Sequence, residues 1–166
     1  MIMSTVTGIN YIDKNVLWIR EQFVESLSNY VCQVFESQGL DGKPEWYIEI
    51  YEEFDVVRKG LRPGYVGFVW EDDLQNDSSR EAEIIAILEE AKTMIAAKGK
   101  EISTHELNEL EQNREIVEYR QNWPLPVQTK DYIQVLDIFI KMLKHEWMES
   151  YDMTFEGYDR IEPTTT

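Results

Sequence analysis

Two histidines and one cysteine are the residues of this sequence best suited to metal or covalent chemistry. His145 and Glu149 stand one helical turn apart, as do His105 and Glu109, so either pair could offer two ligands from one helix face. Neither belongs to a zinc-protease pattern, because His145-Glu-Trp-Met-Glu149 lacks the second histidine. A calcium loop counted from Asp72 would place Asn76 and Glu83 at its fifth and twelfth positions. Leu74 fills the third, where a ligand is needed, and Asp77 stands where glycine makes the sharp turn. These residue types favour a solvated acidic loop, and neither metal nor cofactor is expected. Cys32 has no Lys or Arg in the preceding turn and no neighbouring His to lower its pKa, so it reads as a small buried hydrophobe.

Other catalytic patterns are missing too. There is no GxSxG elbow, and the eight glycines are scattered singly rather than gathered into a phosphate-cradling loop. The chain is therefore not expected to be an enzyme. Direct binding of nucleic acid needs a basic stripe. The local basic cluster, Arg58, Lys59 and Arg62, is outnumbered by acids on both sides.

Charge is the informative property. Asp and Glu number 32 against 16 Lys and Arg, a formal net charge of −16 over 166 residues. Aromatic residues make up 12% of the chain, too many for a disordered acidic tract, so the charge is expected on a folded surface. Two concentrations stand out. Glu71, Asp72, Asp73, Asp77 and Glu81 form the first. In the second, Glu146, Glu149, Asp152, Glu156 and Asp159 interleave with Tyr151, Phe155 and Tyr158. Carboxylates steer a basic partner, and aromatic side chains supply the desolvated anchors of an interface. Both groups are expected to bind a partner. Tyr47, Glu49, Tyr51 and Glu53 repeat the mix as a secondary partner-binding set.

The elements that position these residues follow from periodicity. Apolar residues at three- and four-residue steps predict a helix over 13–38, capped by Asn10 or Asp13 and closed by Gly39. Alternation over Trp46–Phe54 predicts a strand, with Tyr47, Glu49, Tyr51 and Glu53 on its outer face. A second strand is expected over 65–70. Ser78 or Ser79 should cap the next helix, and Gly99 should close it. Ser103 and Glu106 have capping-box spacing for a peripheral helix running to about Arg120. After the extended Trp123-Pro-Leu-Pro126, Thr129 should cap a strongly apolar helix reaching about Ser150, packed on the first helix and the ribbon.

The sum is an α+β fold: a helix-dominated single domain over 1–163, about four helices packed on a short antiparallel β-ribbon, with 164–166 a frayed tail. The N-terminus lacks the pattern of a signal peptide, no run is long enough to span a membrane, and one cysteine forms no internal disulfide. A cytoplasmic protein is expected. Its expected function is that of an acidic inhibitory binding protein, of immunity-protein or antitoxin type, masking a basic partner protein that acts on nucleic acid. The first alternative is a DNA mimic that blocks a DNA-binding or defence protein. Residues 77–90 carry five acids along roughly 20 Å of helix, sparse against duplex DNA with one charge per ~1.7 Å. The second alternative is a small enzyme or ligand-binding domain with a hidden pocket.

Overall fold

A computed structural model describes residues 6–12, 14–62, 67–68 and 70–153. The fold is α+β and dominated by helices. Strands β1 (Val6–Ile9) and β2 (Leu17–Arg20) lead into helix α1 (Glu21–Gln38). Helices α2 (Glu45–Arg58), α3 (Trp70–Leu74) and α4 (Ser78–Ala96) follow. Then come β3 (Glu101–Ile102), α5 (Thr104–Leu110), two single 3-10 turns, β4 (Val127–Gln128), α6 (Thr129–Leu143) and β5 (Tyr151–Asp152). β1 and β2 pair antiparallel, β5 adds to β2 in parallel, and β3 pairs antiparallel with β4. No helix among the described residues is long and apolar enough to cross a membrane.

The segment expected as a strand over 46–54 is helix α2. Its buried residues are Tyr47, Ile50, Phe54 and Val57, spaced by three, four and three, which is a helical stripe. Aromatic and aliphatic residues also fall at alternate positions there, and packing on α1 decides between the two periods. Phe35 of α1 meets the rings of Tyr47, Tyr51 and Phe54. Of the second expected strand, residues 65, 66 and 69 lie outside the described residues, and Trp70 opens α3.

The first helix begins at Glu21 rather than near residue 13. Leu17 and Ile19 point inward from β2, opposite Ile9 and Thr7 of β1. This pairing takes the segment away from the helix, so α1 is entered from Arg20 rather than capped by Asn10, and Asp13 lies outside the described residues. Gly39 does close α1, at φ +84°, its N–H bonded to the carbonyls of Phe35 and Glu36.

Asp77, rather than Ser78 or Ser79, caps α4, accepting the N–H groups of Ser79 (2.9 Å) and Arg80 (3.1 Å). Ser103 caps α5 as its spacing predicts. That helix stops at Leu110, far short of Arg120, because Glu111 and Arg114 turn inward into a buried ion cluster. Arg114 donates to both oxygens of Glu25 (3.0 and 3.2 Å) and to Glu111 (2.7 Å). Trp123 Nε1 and the Gln121 N–H also reach Glu111. Thr129 does not cap α6. Its hydroxyl donates to the carbonyls of Gly99 and Lys100 and ties α6 to the end of α4. α6 ends at Leu143 and packs chiefly along α4; its Tyr132 reaches α1, bonding to Ser26 with its ring tilted against that of Phe23.

Candidate functional site

α2 and α3 together build an acidic cleft. Once α2 is helical, Glu45, Glu49, Glu52 and Glu53 lie on the side away from its buried stripe, one turn or less apart. α3 brings Asp72 and Asp73 against them. One part of the cleft, about 400 Å³, is lined by Glu49, Glu52, Glu53, Val56, Arg62, Asp72 and Asp73. An adjoining part of about 350 Å³ shares Glu49, Asp72 and Asp73 and adds Glu45, Trp46, Gln75 and Arg80.

Asp73 registers the crowding. Partial burial, a hydrogen bond with Glu49 and the charges of Glu49, Glu53 and Asp72 push its carboxyl up to about 7. Two cations share the lining, Arg62 and Arg80; the Arg80 guanidinium donates to the Asp73 main-chain carbonyl (2.6 Å) rather than to a carboxylate and lies 5.2 Å from the Trp46 ring centre. The cleft thus offers several carboxyl oxygens at an open surface, suited to hold cationic side chains.

The structure divides the acids expected to act together. Asp72 and Asp73 join Glu49 and Glu53 in the cleft. Glu71 accepts the Ile12 N–H (2.7 Å), and Asp77 is the α4 cap. Glu81 is buried, where one oxygen, Oε2, accepts from the Tyr11 hydroxyl (2.6 Å) and bonds His145 Nε2 (2.7 Å). Tyr47 is a core residue, and Tyr51 is half-buried with its hydroxyl on Glu36. A strand would set these two tyrosines beside Glu49 and Glu53, whereas the helix separates them. Glu45 and Glu52, which the sequence reading missed, carry a legible signal once the period is taken as helical.

In the second group, Glu146 is exposed, and Glu149 and Tyr151 line a groove of about 430 Å³ with Trp147 and the α6 residues Lys130, Ile133 and Lys141. Asp152 is exposed on β5. Phe155, Glu156, Tyr158 and Asp159 lie outside the described residues. The basic cluster is largely neutralised, since Arg58 pairs with Glu36 (2.6 Å) and Asp55 (2.7 Å) and Lys59 with Asp55 (3.0 Å). Burial raises the Cys32 thiol well above its ordinary value. His145 reaches Glu81 instead of Glu149, and exposed His105 pairs with Glu109 (3.0 Å). Among the described residues no group of three His, Cys, Asp or Glu side chains is placed to hold a metal. Comparison of the chain with protein-family models, with curated proteins and with solved structures finds no match.

Proposed function

We propose that this chain is an acidic inhibitory binding protein, of immunity-protein or antitoxin type, that masks a basic partner acting on nucleic acid in the cytoplasm. The observation that carries the reading is the gathering of Glu49, Glu52, Glu53, Asp72 and Asp73 along one open cleft, where the neighbouring acids raise the Asp73 carboxyl. Carboxylates crowd one another in the cleft, and Asp73 carries the effect. A lysine or arginine from a partner would relieve that repulsion and favour the ionised form of Asp73. Proteins that bind phosphates present such residues at their working surface, and an acidic cap steers toward them rapidly.

The DNA-mimic reading loses support from helix α4. Of its five acids over 77–90, Asp77 caps the helix and Glu81 is buried, leaving Glu83, Glu89 and Glu90 exposed. That stripe is thinner still than the sequence suggests.

The test is affinity capture with the full chain from its native host, at low and high salt. A basic nucleic-acid-acting protein should be recovered at low salt and lost or weakened at high salt. Glu49→Gln combined with Asp73→Asn should weaken its capture. Recovery of no basic protein, or equal capture by the double variant, would overturn the proposal.

A further inference from the structure

Helix α6 packs one face on α4 and α1 and presents another to an open groove. Lys130, Ile133, Gln134, Asp137, Ile138 and Lys141 line that groove and follow one another at steps of three, one, three, one and three residues, a single helical stripe. Trp147, on the connector after α6, and Tyr151, on β5, line it as well, and the space measures about 430 Å³. Ile138 is buried, while Ile133, Trp147 and Tyr151 are half-buried and packed against the core, so the groove has an apolar floor.

The stripe reads the same from either end: lysine, isoleucine, two polar residues, isoleucine, lysine. Its two lysines are exposed and stand about 16 Å apart along the helix. Neither pairs with a carboxylate among the described residues. Asp137 is taken by Lys92 of α4 (2.5 Å), which leaves Glu149 as the remaining acid of the lining. The groove thus carries an excess of positive charge in a chain of net charge −16. The same symmetry disfavours a second copy packed α6 to α6. A two-fold axis across the middle of the stripe would set Lys130 against Lys141 of the second copy, like charge against like at both ends.

From this arrangement we infer that the α6 groove docks a short extended segment of a partner protein in which two apolar side chains are flanked at both ends by Asp or Glu. The apolar side chains rest on Ile133, Ile138, Trp147 and Tyr151, and the flanking acids meet Lys130 and Lys141. In an extended segment, alternate residues share a face, so acid, apolar, apolar and acid at every second position span about 20 Å. The flexible lysine stems cover the difference from 16 Å. The groove shares no lining residue with the acidic cleft, so its occupant is separate from the basic partner of the cleft.

The test titrates the 15N-labelled full chain with the end-capped peptide Glu-Ser-Leu-Ser-Phe-Ser-Glu and with the same peptide carrying Gln at both ends. The Trp147 indole N–H signal, assigned by its loss in Trp147→Leu, should move with the Glu peptide, and the Gln peptide should bind roughly three- to tenfold more weakly. Lys130→Gln with Lys141→Gln should remove that difference, and Ile133→Ser should weaken both peptides. Glu49→Gln with Asp73→Asn should leave the Trp147 shift in place. Equal affinity for the two peptides, or a Trp147 signal that stays still, would overturn the inference. So would two other outcomes. Sedimentation of the natural chain as a dimer that Ile133→Ser dissociates would assign the groove to a second copy. Binding seen only in Phe155→Ser with Tyr158→Ser would assign it to the chain's own end, which lies outside the described residues.

Discussion

Asp73 on α3 and Glu49 on α2 meet across the cleft with their carboxyl groups hydrogen-bonded, and partial burial together with this contact pushes the Asp73 carboxyl up to about 7. The folded state therefore binds this proton more tightly than the unfolded chain, where an Asp titrates near 3.9. The stability it contributes is complete below that value and is lost as pH rises through about 7. Asp73→Asn should flatten the pH dependence of the unfolding midpoint between pH 4 and 8 relative to the natural chain, and raise stability at the alkaline end. Urea melts at several pH values read this directly, and parallel curves for the two proteins would contradict it.

The same proton links pH to partner binding. A cation entering the cleft favours ionised Asp73, so association releases a proton and tightens as pH rises from 6 to 8. The dependence cannot exceed about tenfold per pH unit for one proton. Calorimetry in buffers of different ionisation enthalpy should report that release, and Asp73→Asn should abolish its share.

Arg114 is the countercharge of two buried carboxylates, with burial raising the Glu25 carboxyl and the guanidinium opposing that rise. Arg114→Met leaves Glu25 and Glu111 without that countercharge. Losing one partner of a buried pair costs about 3–5 kcal/mol, so the urea midpoint should fall sharply. Replacing all three residues by apolar ones of similar volume should recover much of the loss, and a single-variant cost near zero would show the cluster to be solvated.

Helical and strand readings of α2 predict different mutational patterns. A strand sets Trp46 and Phe54 on one buried face, whereas the helix half-exposes Trp46 and buries Phe54 against Phe68 at 4.7 Å and Trp70 at 6.1 Å. Phe54→Ala should cost about 3–5 kcal/mol, and Trp46→Ala much less. Equal losses in chemical denaturation would favour the strand.

The α4 cap provides a smaller test. Asp77→Ala removes the acceptor for the Ser79 and Arg80 N–H groups and should cost about 1 kcal/mol, with Asp77→Ser close to neutral. Thermal melts of the three proteins would resolve that order.

Where local signals stood alone, the sequence was a sound guide. Gly39 needs a left-handed backbone that glycine adopts freely, and Ser103 with Glu106 three residues on starts a helix wherever the chain allows. The α4 stripe of Ile84, Leu88, Ala91 and Ile95 has no competing period. Errors came where two periods coexist or a distant partner decides. Trp46–Phe54 carries apolar residues at both spacings, and only the rings of α1 select the helix. Leu17–Arg20 is claimed by β1, and Glu111 is drawn out of α5 by Glu25's partner Arg114. The candidate site inherited both fates. Asp72 and Asp73 were legible as charge, but their companions depended on the helical turn of α2. Glu81 reads as surface charge in the sequence, whereas Tyr11 and His145, both distant in sequence, hold it inside.

The parallel pairing of β5 with β2 also sets a schedule for synthesis. The Val16 N–H bonds the Ser150 hydroxyl, a separation of 134 residues. At about 5–20 residues per second, the β1–β2 hairpin must wait roughly 7–27 s for its third strand. Through that interval the nascent hairpin presents an unpaired edge at Leu17–Trp18, the place where a chaperone or a wrongly matched strand would have its longest opportunity.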